Sequence, residues 1–180
     1  MFWDTPVLMQ PSGVGGTNWA PMPYNPDTGY FYVPGIVRTS AFVRYGDQFK
    51  VGKLYVGGTQ AAPINSPMSG MFTAIDSRKN KIAWQKKMPY RLGYGSRAMT
   101  MAGGLVFHGE PDGNFLAFDA GTGDELWRFQ TSFGADAPPI SYEVDGEQFV
   151  AIATGDNMIN ASAYGDAVWA FSLNGKLEPL

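Results

Sequence analysis

Few residues in this 180-residue chain have side chains suited to chemistry, and their spacing is more telling than their number. Two aspartates, Asp76 and Asp119, stand 43 residues apart, and two tryptophans, Trp84 and Trp127, keep the same offset. Paired carboxylates are candidates for general acid and base. A shared offset, however, is the mark of a repeated structural unit. In the turn Asp119–Gly123 the carboxylate can accept hydrogen bonds from backbone N–H groups two or three residues on, while Gly123 can take a positive φ. Asn80 holds the same place in the other copy, and asparagine also tolerates a left-handed backbone. Both aspartates are therefore expected to shape turns. The only histidine, His108, lies in an apolar run beside Gly109 and is expected to be packed rather than catalytic. It also excludes a His-rich zinc site within the chain. The absence of cysteine excludes disulfides, thiolate metal sites and thiol nucleophiles.

Charge is unevenly distributed. Residues 1–109 carry eleven Lys/Arg and four Asp/Glu, while residues 110–180 carry two and twelve. Arg78, Lys79, Lys81, Lys86, Lys87 and Arg91 form a short basic stretch. It is either a solvated strand edge or a docking patch for an acidic protein. Nucleic acid is not an expected partner, because the acidic half would repel phosphates.

The elements that must position these residues are short strands. Met71–Ile75 and Ile82–Lys87 flank the first Asp turn, and Asn114–Phe118 and Glu125–Gln130 flank the second. Gly104–Gly109, Ile140–Val144 and Glu147–Ala153 add strands, the last two forming a hairpin across Asp145-Gly146. Asp166–Leu173 is the last strand. Earlier, Tyr30–Val33 reads as a strand ending at Pro34, Lys53–Val56 as a strand, and Gly57–Gly70 and Met88–Ala102 as loops. No helix is expected. A period near 43 with apolar strands and Gly/Asp turns predicts an all-β, partial β-propeller of three to four four-stranded blades. The chain reads as a single domain, 1–180. Residues 1–69 form an irregular leading segment, 70–131 two clear repeat copies, and 132–180 closing strands. Too few blades to close a ring imply the C-terminal part of a larger propeller, with the remainder as its partner. Met1–Pro6 does not read as a signal peptide, so an export signal is expected to lie elsewhere, and no 18-residue apolar run is present.

The run Ala117-Phe118-Asp119-Ala120-Gly121-Thr122-Gly123-Asp124-Glu125-Leu126-Trp127 resembles the tryptophan-docking repeat of pyrroloquinoline quinone (PQQ) dehydrogenases. Gly15-Gly16-Thr17-Asn18-Trp19 with Tyr24–Pro34 is similar to the segment by which these enzymes enter the cofactor site. Ala102–Gly109, Tyr142–Val150 and Gly165–Leu173 resemble their later blades and closing strand. Five motifs in the family's order, at matching spacings, make the resemblance specific, above all to the alcohol dehydrogenase branch.

The resemblance implies a periplasmic, eight-bladed quinoprotein. Its cofactor is PQQ beside a calcium or lanthanide ion, its substrate a small alcohol or sugar, and its electron acceptor a cytochrome c or ubiquinone. An Asp base takes the alcohol proton and hydride passes to the quinone. Asn18 and Trp19 match the family's cofactor-contacting pair, since a carboxylated planar quinone needs amide donors and aromatic walls. Asp156 and Asn157 fall where many members have a Gly-Trp-Gly run reaching the cofactor, with Asp156 in the tryptophan's place. Residues 92–97 lack a tryptophan-glycine pair found in some members, leaving Tyr94 or Arg97 to reach the cofactor. The family's general base, metal ligands and vicinal cysteines fall upstream, so this chain alone is expected to be inactive. The alternative is a non-catalytic propeller scaffold for protein binding, like outer-membrane assembly lipoproteins. A sugar-binding propeller has no specific signal.

Overall fold

The computed structural model describes residues 3–44, 46, 48–61, 65–90, 97–155, 157 and 162–176. They form an all-β structure, with fourteen strands in four antiparallel sheets and no helix among the described residues. The first sheet has the order β2 (Tyr24–Asn25), β3 (Tyr30–Val37), β6 (Ser69–Asp76), β7 (Lys81–Met88). The second is β8 (Ala98–Thr100), β9 (Leu105–Gly109), β10 (Asn114–Asp119), β11 (Glu125–Gln130), a simple meander. The third is β12 (Ile140–Val144), β13 (Glu147–Gly155), β14 (Asp166–Phe171). Between β3 and β6 the chain makes an excursion, β4 (Ser40–Arg44) and β5 (Gly58–Ala61). This pairs with β1 (Val7–Met9) as a separate three-stranded sheet. Two sheets thus have the four strands expected of a blade, and two have three described strands.

Alternation along β10 explains how the sheets stack. Leu116 and Phe118 face the first sheet and pack with Tyr32, Phe72, Trp84 and Val106. Phe115 and Ala117 face the third and pack with Phe107, Val150 and Ile152. A strand buried on both faces has no room for polar alternation, hence its unbroken apolar run.

The repeat aspartates do what their turns require. Asp119 Oδ1 accepts from the N–H groups of Gly121 (2.9 Å) and Thr122 (2.8 Å), and Asp76 Oδ1 from those of Arg78 (2.9 Å) and Lys79 (3.1 Å). Gly123 has φ 78° and Asn80 φ 53°. Trp84 joins the first two sheets: its Nε1 donates to the Ala120 carbonyl at 3.0 Å, and its ring lies flat on the Gly123 turn. Trp127 is placed differently. It stands edge-on to Phe115 and Phe171 and is 37% exposed, bordering an apolar cavity of about 740 Å³ between the second and third sheets.

The N-terminal half differs most from the strand reading. β3 continues through Pro34 to Val37. Tyr32 donates its N–H to the Pro23 carbonyl and Ile36 to that of Gly16, so the missing N–H of Pro34 falls on that same side, beyond the end of β2. A proline there leaves no ladder bond unmade. Lys53–Val56 is not a strand: Leu54 is 94% exposed, and the pairing strand is β5, inside the expected loop. β8 likewise lies within the stretch read as a loop. The first sheet joins β2 and β3 to β6 and β7, so it crosses residue 70.

Candidate functional site

Described residues from four segments come together at one end of the three stacked sheets: Trp19 ahead of β2, Arg97 just before β8, Asp136 ahead of β12 and Ser162 between β13 and β14. Trp19, before β2, is 57% exposed, and the Arg97 guanidinium, before β8, lies 4.0 Å from its ring centroid. Asp136, before β12, is close enough to favour the charged form of Arg97, although burial acts first and holds the guanidinium below its usual range. Asp136 is buried and its carboxylate accepts a short hydrogen bond from the Ser162 hydroxyl, between β13 and β14. Main-chain bonds tie the same loops: Gly134 N–H to the Ala163 carbonyl, Gly155 N–H to that of Gly134, and Ala135 N–H to that of Glu110.

Of the expected site residues, Asn18 and Trp19 stand at one side of this end. Asn18 donates from Nδ2 to the Val14 carbonyl at 2.8 Å, and its Oδ1 accepts the Trp19 N–H at 2.9 Å. The amide thus holds its own loop in shape and keeps one N–H and one lone pair for a ligand. Asn157 lies on the loop of Ser162, its carbonyl facing the Ser162 N–H at 3.4 Å. Asp156 and Tyr94 fall outside the described residues.

His108 is fully buried on β9 and stacked on Phe72, with ring centroids 4.8 Å apart. Burial pushes its pKa down to about 4. The Arg97 carbonyl faces the ring and opposes that shift, but neither ring nitrogen makes a hydrogen bond of normal geometry. A neutral, stacked imidazole closed off from solvent is a core residue.

Glu110 carries a signal the sequence reading passed over. It stands at the head of a Pro-Asp-Gly turn, yet it is 2% exposed, and its Oε1 lacks a hydrogen bond. Burial first, then the neighbouring Asp112, raises its pKa to about 7, while Arg128 opposes. The cleft of about 370 Å³ beside it is lined by Lys86, Lys87, Asp112, Glu125 and Arg128. Arg128 is already held by Glu125, through two bonds of 2.9 Å. A glutamate between Gly109 and a Pro-Asp-Gly turn was the available clue. Among the described residues, no three His, Cys, Asp or Glu side chains are grouped to hold a metal ion.

The stacked antiparallel sheets, with loops gathered at one end, define a β-propeller class of protein. A family model described as PQQ: glucose/ethanol/alcohol dehydrogenase, beta-propeller domain, matches residues 37–150. The chain belongs to this family. It is 39% identical over 164 residues to quinoprotein alcohol dehydrogenase PedE of Pseudomonas putida, covering 91% of this chain and 24% of that protein. It is equally similar, at 39% over 164 residues, to 1-butanol dehydrogenase (quinone) of Thauera butanivorans, covering 90% and 24%. Among solved structures, quinohemoprotein alcohol dehydrogenase ADHIIG of Pseudomonas putida superposes with a TM-score of 0.84 at 27% identity, over 97% of this chain and 29% of that one. The chain thus spans about a quarter of the length of the curated relatives it matches.

Proposed function

We propose that this chain supplies one wall of the cofactor site in a PQQ-dependent dehydrogenase that oxidises alcohols or related sugars. The observation that carries the reading is the convergence of the Asn18–Trp19 loop with Arg97, Asp136 and Ser162 at one end of the sheets, in a member of this family. Trp19 offers a planar wall and Asn18 an amide group to carbonyl or carboxylate oxygens, with Asn157 placed on the segment of Ser162 as a further cofactor-facing residue. Bound PQQ would supply the hydride-accepting carbonyl that no side chain provides. The general base and the calcium or lanthanide ligands lie outside this chain. Electrons leave to a cytochrome c or ubiquinone, and the protein works in the periplasm.

Titrating PQQ with calcium or a lanthanide into the full-length protein tests this. Saturable, metal-dependent binding, weakened about tenfold by Asn18→Ala, is expected from loss of a hydrogen bond to a charged ligand. A folded protein that ignores PQQ would overturn the reading and favour a scaffold.

A further inference from the structure

Arg97 is held in an unusual way for a cation near a protein surface. Its guanidinium carbon sits 4.0 Å from the centroid of the Trp19 ring, while its Nε is withdrawn from solvent without a hydrogen-bond partner. Among the described residues the ion pairs are Arg44–Asp4, Lys79–Asp76 and Arg128–Glu125, and Arg97 is in none of them. Asp136, whose charge favours the cationic form of Arg97, accepts a hydrogen bond from the Ser162 hydroxyl. A guanidinium lying over an indole face is restrained there by cation–π attraction, and its N–H groups all lie in its own plane, around the rim. Such a fork is matched by a planar carboxylate, which takes two parallel N–H bonds. The stack also joins an aromatic wall to a cation, which suits a flat ligand bearing carboxylates at its edge.

Resting on the quinoprotein reading, we propose that Arg97 is a cofactor-anchoring residue whose guanidinium, stacked on Trp19, receives a carboxylate of PQQ. The residue works by holding the ligand's anionic edge beside the Trp19 wall. It takes no part in hydride or proton transfer. Lysine cannot replace it fully, because an ammonium keeps the charge and loses the planar fork.

The test compares PQQ with its trimethyl ester, which keeps the ring system and lacks the charges. Binding of each to the full-length protein is measured by equilibrium dialysis with calcium present, for wild type, Arg97→Lys and Arg97→Gln. The expected result is that Arg97→Gln weakens PQQ by about 30- to 100-fold and changes ester binding less than threefold, with Arg97→Lys between. The preference for PQQ over the ester then collapses. Equal losses for both ligands would show that Arg97 acts only by packing on Trp19, and no loss for PQQ would show that it is not in the site. Either overturns the proposal. A wild type that binds neither compound removes the quinoprotein reading itself. If Arg97→Gln does not fold, Arg97→Lys carries the comparison, with a loss of about tenfold confined to PQQ as the expected outcome.

Discussion

Gly123 lies against the indole face of Trp84 so closely that a Cβ built on it would be 2.6 Å from the ring. It also holds φ at 78°, so two independent demands fall on one residue. The turn needs a left-handed backbone, and the neighbouring sheet needs the space where a side chain would be. Gly123→Ala is therefore expected to destabilise by about 2–4 kcal/mol, from backbone strain plus overpacking. At Gly121, with a negative φ and only Asp119 nearby, the same change should cost under about 1 kcal/mol. Urea unfolding of the two variants checks the contrast, and similar losses would contradict it.

The Ala120 carbonyl, fully buried, receives two donors from the first sheet: Trp84 Nε1 and the Tyr32 hydroxyl, each at 3.0 Å. Either donor alone leaves the oxygen satisfied. Tyr32→Phe should cost about 1 kcal/mol, and Trp84→Phe about 2 kcal/mol with its smaller ring. The double variant should exceed their sum by about 1 kcal/mol, because only then is a buried carbonyl orphaned. A double-mutant cycle with no coupling would show that water or a shifted backbone satisfies the oxygen instead.

His108 and Glu110 flank Gly109, and burial moves them in opposite directions. The folded His108 titrates near 4, below its usual 6.5, so the unfolded chain binds the extra proton between those values and stability falls as pH drops below about 6.5. The folded Glu110 titrates near 7, above its usual 4.5, so the unfolded chain loses its proton first and stability falls as pH rises from about 4.5 to 7. The two slopes oppose each other between about 4.5 and 6.5. Glu110→Gln should abolish the loss on the alkaline side, on the order of 3 kcal/mol at full effect. What remains would be the acid-side fall due to His108. Unfolding free energies at pH 5 and pH 8 would reveal the change, and an unaltered difference between them would count against a protonated Glu110.

What could be read from the chain was whatever is local. Asp119, Asp76, Asn80 and Gly123 are legible because a turn is decided within five residues, and β10 is legible because burial on both faces leaves an apolar run. The second role of Gly123, leaving room for Trp84, depends on a residue from the preceding repeat and has no local sign. Pro34 misled because its missing N–H is harmless only where β2 has ended, which is a matter of pairing rather than composition. Leu54 and Val56 looked like a strand by apolar content, while Gly58–Ala61 takes the strand position through its backbone bonds to β4. The stack of Arg97 on Trp19 joins loops 78 residues apart, and the burial of Glu110 follows from packing between sheets. Asn18 and Trp19 were found through resemblance, and their local geometry shows a self-bonded loop with an exposed indole.

Strand β10 contributes alternate side chains to two separate cores, so both sheet junctions share a single backbone. Loosening either junction removes half of what holds that strand, and the other junction feels the loss at once. Opening motions should therefore begin at the periphery, in β4, β5 and β12, and reach β10 only when the whole stack comes apart. In an amide exchange experiment Leu116 and Phe118 would be the last to trade their protons for deuterons, at the rate of global unfolding. The middle sheet thus sets the clock for the entire chain.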